Sequence, residues 1–313
     1  MSQTPSAPSD NKKIHNGGAM NGWLVLDKPV GISSAAAVAI VKRIFGGVKA
    51  GHGGTLDPLA SGILPIALGE ATKTTAYAMG AEKSYEFVAK WGEQTSTDDG
   101  EGDIIATSDI RPNREQITSI LDEFTGEIDQ TPPAYSAVKI DGKRAYALAR
   151  GAQDHSEMPE MKARTITIDK LVCLSCEGDK ARFHITCGKG TYIRSLARDI
   201  AIQLGSVGHV AELRRLSVGQ FSLKNAISLD FLKELGDSAA ASPYVMPVIT
   251  VLDDIPALLV TTEEAQKLRF GQFLNPRSDI APSPLYKAVC DEELVALVEL
   301  RDEGFKPIRV FNL

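Results

Sequence analysis

The segment from Gly51 to Gly62 carries the clearest candidate for chemistry, the carboxylate of Asp57. Four of its twelve residues are glycines, which favour neither helix nor strand and specify a loop that bends sharply or lets a ligand approach closely. Pro58 restrains the preceding residue to extended dihedral angles and removes one amide hydrogen. The sequence therefore predicts a carboxylate presented by a stiffened turn, either to a reacting group or to the backbone amides of the turn itself.

Motifs for phosphate-bearing cofactors and for metals are missing from the sequence. The glycine spacing fits neither G-x-x-x-x-G-K-[ST] nor G-x-G-x-x-G, and there is no H-E-x-x-H or G-x-S-x-G. Cys173 and Cys176 have C-x-x-C spacing, but tetrahedral zinc needs four ligands and no second pair accompanies them. We therefore expect neither a cofactor nor a metal. The four scattered cysteines fit a reducing compartment, so we expect a cytoplasmic location.

Hydrophobic periodicity predicts a mixture of strands and helices around this loop. A strand over 23–29 precedes a helix that Ser34 can cap, and alternation predicts a strand over 84–91. Further strands are predicted over 164–174 and 181–187, and further helices over 113–124 and from a cap at Thr191 to Gly205. Because no regular βαβ alternation is present, the expected fold class is α+β, with a mostly antiparallel mixed sheet flanked by helices.

Composition divides the chain into three parts. Residues 1–21 are rich in Ser, Pro, Asn and Gly and lack a signal-peptide core, which predicts a disordered tail. Residues 22–250 form the expected main domain, in which 129–162 has no sustained period and predicts a long functional loop with Lys139, Lys143, Arg144 and Arg150. Residues 255–313 predict a small β-rich module that packs on the main domain.

The charge and hydropathy of the chain limit the kinds of partner that it can have. The longest apolar run, 35–41, is far shorter than the roughly 20 residues of a membrane-spanning helix, so no membrane association is expected. The net charge of −6 disfavours a nucleic-acid partner at first sight. However, eleven acids lie within 93–130, whereas 1–50 and 187–216 are basic. A basic face that binds nucleic acid therefore stays possible.

Six segments, in order along the chain, resemble the signatures of the TruB family of tRNA pseudouridine-55 synthases. They are Leu26–Gly31, Gly51–Gly62, Lys83–Tyr85, Pro133–Lys139, Lys189–Ser195 and His209–Leu216. The resemblance covers residues 23 to 220. It implies the pseudouridine synthase fold, isomerisation of one uridine in the T arm of tRNA without a cofactor, and a small C-terminal domain similar to PUA domains.

The resemblance also implies roles for particular side chains. Asp57 would be the catalytic carboxylate, Tyr85 the aromatic residue against the target base, and Arg194 the ion-pair partner of Asp57. The other implied RNA contacts are Tyr192, Leu213 as a pocket wall, His52 in the space left by a flipped nucleotide, and Lys28 at a strand-end turn or a phosphate. From the residues alone, each of them could equally be a packing or surface residue.

Several alternatives stay open at this point. The carboxylate could stabilise positive charge at the sugar, act as a nucleophile or remove a sugar proton. The chain could instead resemble the guide-RNA-dependent sibling family, bind RNA without turnover, or be a glycosidase, for which no second carboxylate stands out. The long loop at 129–162 favours the stand-alone type. We therefore expect a monomer that acts on tRNA without an obligatory protein partner and that can also assist tRNA folding.

Overall fold

The structure is a computed structural model that describes residues 20–136, 138–140, 142–151, 159–277 and 280–313. Within these ranges, no helix is long and apolar enough to cross a membrane. Of the tail predicted over 1–21, residues 1–19 lie outside the described part. Asn21, by contrast, is part of the fold, because its side-chain oxygen accepts a hydrogen bond of 2.8 Å from the Glu70 amide.

One eleven-stranded sheet carries the residues singled out above. Its strands are β1 (Gly22–Lys28), β2 (Ala50–His52), β3 (Ser61–Leu68), β4 (Lys83–Trp91), β7 (Gly126–Gln130), β10 (Arg164–Glu177), β11 (Lys180–Cys187), β12 (Gly208–Val218), β13 (Phe221–Ser222), β14 (Ile227–Ser228) and β15 (Val245–Met246). The main path runs β14-β1-β3-β12-β4-β11-β10-β7. The β1–β14 and β3–β12 contacts are parallel and the others antiparallel, so the predicted α+β class with a mixed sheet is confirmed.

Burial explains why β3 and β4 lie inside this sheet. In β3 every residue after Ser61 is buried, which is typical of a strand covered on both faces. In β4, Tyr85, Phe87 and Trp91 point inward as the alternation predicts. The ring of Phe87 stacks on Phe183 of β11 at a centroid distance of 4.9 Å. These two strands therefore give the neighbouring loops a rigid base.

The helices cover the sheet and begin close to, but not always at, the predicted caps. They are α1 (Ser34–Ile44), α2 (Thr75–Gly80), α3 (Arg114–Ile120), α4 (Ala145–Gly151), α5 (Ile193–Gln203), α6 (Leu229–Leu235), α7 (Ser238–Ala241) and α8 (Thr262–Arg269). The cap of α1 is Ser33, whose side chain accepts a hydrogen bond from the Ala36 amide, so the prediction for Ser34 was wrong by one residue. The prediction for Thr191 was also wrong, because Tyr192 occupies the cap position of α5.

The segment 129–162 contains regular structure that its sequence did not indicate. Strands β8 (Lys139–Ile140) and β9 (Lys143–Arg144) form a hairpin that leads into α4. The sequence predicted a long functional loop here and gave no sign of these elements, because two-residue strands and a two-turn helix are too short to leave a period. Residues 137, 141 and 152–158, and the side chains of Arg144 and Arg150, lie outside the described part.

A separate four-stranded sheet forms near the C-terminus. Its strands are β16 (Ala257–Leu259), β17 (Tyr286–Cys290), β18 (Glu293–Arg301) and β19 (Gly304–Val310), and the remaining strands β5 (Glu93–Thr95) and β6 (Ile104–Thr107) form a hairpin beside β12. The module predicted over 255–313 is thus β-rich, with its last strand beginning at Gly304 directly after a tight turn. Phe311 is buried in one cluster with Trp23 and Ala71, and the Lys73 ammonium donates to the Val310 carbonyl at 2.9 Å. This module therefore packs on the large sheet.

Candidate active site

Asp57 lies in the loop that joins β2 to β3. Its carbonyl oxygen accepts a hydrogen bond of 3.1 Å from the Ala60 amide, and the next carbonyl, that of Pro58, accepts one of 2.8 Å from the Gly31 amide. The Asp57 side chain is 35% exposed. The turn is therefore held by its backbone, which leaves the carboxylate accessible from solvent.

Gly62 is required where this loop enters β3. Its φ is +102°, and an added Cβ would lie 2.1 Å from the Arg215 carbonyl oxygen. Gly53 is limited by space instead, because a Cβ there would lie 2.8 Å from the Ala78 methyl group. Two of the four motif glycines thus allow the loop to pack directly on the sheet.

Ser34 holds the loop from the side of α1. Its hydroxyl donates to the Leu56 carbonyl and accepts from the Leu56 amide, both at 2.8 Å. Both groups are buried, so this reciprocal pair fixes the backbone of the residue immediately before Asp57. The sequence predicted that Ser34 caps a helix. In the structure its hydroxyl instead binds the Gly51–Gly62 segment, which we call the motif loop.

Lys28 ties the end of β1 to the same loop. Its ammonium donates to the carbonyls of Pro29 at 2.9 Å, Ile32 at 2.8 Å and Pro58 at 3.4 Å. Burial lowers the pKa of Lys28 to about 8, against the opposing attraction of the Asp57 carboxylate. Of the two roles left open for Lys28, this geometry favours anchoring the strand-end turn, because the side chain has no exposed area.

Arg215 is a buried anchor that the sequence did not single out. Its guanidinium donates to the carbonyls of Ile63 at 2.7 Å, Thr55 at 3.1 Å and Gly54 at 3.1 Å, and it interacts with the Tyr85 hydroxyl. The alternation of β12 does indicate that Arg215 is buried, because Arg215 lies on the same inward face of the strand as Leu213. A charged residue on a buried strand face needs partners, and these are the backbone of the motif loop.

Arg194 lies on the other side of Asp57, in the first turn of α5. One of its terminal nitrogens is 3.0 Å from an Asp57 carboxylate oxygen, and the other is 3.5 Å from Asp99. The guanidinium also donates to the carbonyls of Thr97 and Tyr135, each at 3.0 Å. The helix dipole disfavours a cation at this position, and the two carboxylates offset that effect. The side chain is only 6% exposed, so its direction is fixed.

Tyr85 and Tyr192 approach the same region from β4 and from the start of α5. Burial raises the pKa of both phenols, and both interact electrostatically with Asp57. Gln130 fixes Tyr192, because its side-chain amide accepts from the Tyr192 amide at 2.8 Å and donates to the Tyr192 carbonyl at 3.1 Å. Neither phenol therefore ionises near neutral pH, so both are neutral aromatic side chains in the region of Asp57.

The remaining candidates lie on neighbouring strands. Leu213 pairs with Phe87 across β12 and β4 and is buried. His52 ends β2, is half-buried, and pairs with Ile66. The structure thus brings Asp57, Arg194 and the two tyrosines into one region, with Leu213 and His52 on the strands that border it.

Tyr85 variants test whether this tyrosine acts as an aromatic surface. Tyr85→Phe keeps the ring and loses the hydroxyl, whereas Tyr85→Leu loses the ring as well. If Tyr85 stacks on a base, as the family resemblance implies, loss of the ring removes about 1–3 kcal/mol. Tyr85→Leu is then expected to lower the single-turnover rate on T-arm RNA by roughly tenfold or more. We expect Tyr85→Phe to lower this rate less, because it keeps the aromatic ring. If both variants react at the wild-type rate, Tyr85 is a packing residue.

The arrangement suits chemistry by a single accessible carboxylate. A carboxylate held between a fixed arginine and open solvent can face a developing positive charge, attack as a nucleophile or accept a proton. Among the described residues, no three His, Cys, Asp or Glu side chains come together as a metal site. Of the two carboxylates on Arg194, Asp57 is 35% exposed and Asp99 only 4%, so Asp57 is the one that can meet a substrate.

Comparison with known proteins identifies the family. The model of the TruB family pseudouridylate synthase N-terminal domain matches residues 42–193, and that of the tRNA pseudouridylate synthase B C-terminal domain matches 194–255. The tRNA pseudouridine synthase B of Rhodospirillum rubrum is 47% identical over 306 residues, covering 95% of this chain and 98% of that protein. The protein of the same name from Bradyrhizobium diazoefficiens is 48% identical, covering 97% and 88%.

Solved structures agree with this assignment. A chain in the structure of an H/ACA RNP bound to a substrate RNA containing 2′-deoxyuridine has a TM-score of 0.70 and 26% identity, covering 93% of this chain and 85% of that one. A chain in the structure of a Cbf5-Nop10-Gar1 complex has a TM-score of 0.67 and 29% identity, covering 93% and 84%. Sequence and fold thus agree, and the chain belongs to the TruB family of pseudouridylate synthases.

Proposed function

We propose that this protein converts uridine 55 in the T arm of tRNA to pseudouridine, with Asp57 as the catalytic carboxylate. The observation that carries the proposal is the pairing of Asp57 with Arg194 at 3.0 Å, in a loop whose backbone is fixed by Ser34, Lys28 and Arg215. The relatives at 47–48% identity are named tRNA pseudouridine synthase B, which supports the choice of substrate.

The reaction needs a carboxylate at one defined place. The bond from C1′ to N1 breaks and a bond from C1′ to C5 forms, after which C5 loses its proton and N1 gains one. Electron deficiency develops at the sugar, and a fixed anion close to it lowers the barrier. Arg194 keeps the Asp57 carboxylate in one orientation, so that little reorganisation is needed when the sugar arrives.

The target uridine must leave its stack before it reaches Asp57. Extrusion costs a few kcal/mol, which aromatic and apolar contacts in the pocket offset. We assign Tyr85 to the face of the flipped base, Tyr192 and Leu213 to the pocket wall, and His52 to the RNA next to the vacated position. Lys28 acts through the loop backbone, because its three carbonyl partners occupy its ammonium.

We further propose that the protein acts as a monomer in the cytoplasm, without an obligatory protein partner or guide RNA. The relatives named tRNA pseudouridine synthase B match this chain along nearly their whole length, which supports an activity carried by one kind of chain. The exposed Lys139 and Lys143 of the β8–β9 hairpin are suited to contact an RNA backbone. Assistance in tRNA folding is an additional role that such contacts would permit.

Nucleoside analysis of an unmodified tRNA transcript incubated with the purified protein tests the proposed function. We expect one pseudouridine at position 55 and none in a transcript in which cytidine replaces that uridine. A short T-arm hairpin is expected to react as well. Absence of pseudouridine from both the full transcript and the hairpin, with a folded protein, would contradict the proposal.

Removal of metal ions is expected to leave the reaction intact. The proposed chemistry uses a carboxylate and assigns no step to a metal, so a chelator at millimolar concentration should leave the rate on the T-arm hairpin within about twofold of the untreated rate. The hairpin is preferable to full tRNA, because chelation also weakens tRNA tertiary structure. Loss of activity with chelator, restored by a divalent metal, would contradict this mechanism.

Truncation after residue 254 tests whether the C-terminal module serves tRNA binding and the large sheet the chemical step. All residues assigned to the chemistry precede residue 220, so we expect loss of 255–313 to weaken tRNA binding more than it slows the bound reaction. Phe311→Ala serves as a comparison, because it loosens the packing of the module without removing it. Single-turnover rates at saturating protein separate the two effects. Collapse of that rate in a still-folded truncation would place chemistry in the small module.

A further inference from the structure

A second buried ion pair lies one helical turn from Arg194. Arg198 of α5 is 2.7 Å from the carboxylate of Asp98, and the two side chains are only 16% and 9% exposed. The proposed chemistry makes no use of either residue. Buried pairs of this kind contribute little net stability, because desolvation offsets their attraction, so stability alone does not account for this pair.

Arg194 and Arg198 hold the same two segments. Arg194 donates to the Thr97 and Tyr135 carbonyls, and Arg198 donates to the Thr131 carbonyl at 3.0 Å while pairing with Asp98. One segment is the acidic loop, defined here as residues 95–103. The other is 131–135, which leads into the β8–β9 hairpin. One face of α5 therefore connects both segments to the site of Asp57.

Asp98 lies at the centre of the acidic loop. Its φ is +57°, a left-handed conformation that is uncommon for residues other than glycine. It stands directly between Thr97 and Asp99, the two residues of this loop that contact Arg194. Its carbonyl also accepts a hydrogen bond of 3.1 Å from the Val210 amide of β12. A displacement of Asp98 would therefore move both contacts of Arg194 in this loop.

We propose that the Asp98–Arg198 pair is a positioning latch for the reaction. It fixes the acidic loop in the conformation in which Thr97 and Asp99 orient Arg194, and Arg194 in turn orients the Asp57 carboxylate. This inference rests on the proposed function, because it assigns the latch to the same reaction. Neither Asp98 nor Arg198 touches the substrate.

Charge removal at Asp98 tests the latch. Asn tolerates the left-handed conformation, so Asp98→Asn removes the charge while keeping the backbone geometry. Because misplacement by about 1 Å can cost roughly 10²-fold in rate, we expect the single-turnover rate at saturating protein to fall at least about tenfold. The dissociation constant for T-arm RNA should stay within about twofold, since no phosphate contact is removed. Arg198→Lys tests the pair without touching the left-handed residue: it keeps the positive charge, but one ammonium cannot replace the two guanidinium nitrogens that reach Asp98 and the Thr131 carbonyl.

Asp199→Asn is the matched control. Asp199 is the other carboxylate paired with Arg198, at 3.0 Å, and it makes no contact with the acidic loop. We expect its rate to equal that of the wild type. A double-mutant cycle then tests whether the latch acts through Arg194. If it does, Asp98→Asn should lower the single-turnover rate little further in a protein that already carries Arg194→Lys.

The outcomes separate the latch from the proposed function. Wild-type rates in both Asp98→Asn and Arg198→Lys would overturn the latch while the wild-type enzyme still forms pseudouridine. Full additivity with Arg194→Lys would also overturn it, because the loss would then be a general structural effect. If the wild-type protein itself forms no pseudouridine, the proposed function fails instead.

Discussion

Asp57→Asn is expected to give a folded protein that binds T-arm RNA and forms pseudouridine at least roughly 10³-fold more slowly than the wild type. The substitution is nearly isosteric and keeps the Ala60 and Gly31 backbone hydrogen bonds, which do not involve the side chain. It removes the negative charge that would face the electron-deficient sugar. RNA affinity should be unchanged or slightly higher, because one negative charge near the phosphates disappears. Single-turnover kinetics and a binding titration measure the two quantities separately.

Asp27→Asn is the matched control for this charge. Asp27 is also paired with an arginine, Arg214 at 2.8 Å, and its exposure of 31% is close to the 35% of Asp57. We expect less than about a tenfold change in rate for this variant, because exposed ion pairs contribute about 0–1 kcal/mol. If Asp57→Asn retains more than about a tenth of the wild-type rate, Asp57 is a turn residue and the chemistry lies elsewhere.

The fold could be predicted where one period persists over many residues. The alternation of β4 and the apolar face of α5 are strong local signals, and both elements occur as the sequence predicts, including the burial of Phe87 and Leu196. The β8–β9 hairpin and α4 are too short for such a signal. The caps of α1 and α5 were misplaced by one residue. Two serines are adjacent at the start of α1, whereas the cap position of α5 is Tyr192, which makes no side-chain cap hydrogen bond and therefore leaves no signal in the sequence.

The candidate site could be predicted only in part, because long-range contacts build it. The glycines and Pro58 of the motif loop indicate that Asp57 lies in a special turn. The residues that hold this loop in place are far away in sequence, so no local pattern indicates them. Asp98 and Asp99 belong to a segment whose charge we interpreted as a local excess of negative surface. In the structure these two carboxylates are buried against Arg198 and Arg194, about 95 to 100 residues further along the chain.

Arg214 and Arg215 are adjacent residues of the same type that lie in different environments. In β12 successive side chains point to opposite faces, so one arginine lies at the surface beside Asp27 and the other is buried. Composition counts both as basic residues that could bind RNA. The strand period distinguishes them, because Arg215 shares its face with the buried Leu213. The burial of Arg215 could therefore have been predicted from the alternation of this strand, whereas its carbonyl partners in the motif loop could not.

Arg215→Met is expected to lower both the stability and the rate. The substitution keeps most of the side-chain volume but removes the donors to the carbonyls of Ile63, Thr55 and Gly54. The bonds to the Ile63 and Gly54 carbonyls are buried and the one to Thr55 is part-buried. A buried acceptor that loses its donor costs about 1–3 kcal/mol, so the free energy of unfolding should fall by about 2 kcal/mol or more. The loop that carries Asp57 also loses its attachment to β12, and a displacement of about 1 Å would cost roughly 10²-fold in the single-turnover rate.

The matched control is Arg214→Met, which removes an arginine of the same strand whose guanidinium pairs with the half-exposed Asp27. We expect this variant to lose less than about 1 kcal/mol of stability, because its ion pair is accessible to water. Urea denaturation measures the change in the free energy of unfolding. Single-turnover kinetics, at a temperature where both variants are folded, measures the change in rate. Arg215→Lys should fall between them, since one ammonium can reach only part of the three-carbonyl set. An Arg215→Met protein as stable and as active as Arg214→Met would show that the motif loop keeps its geometry without this anchor.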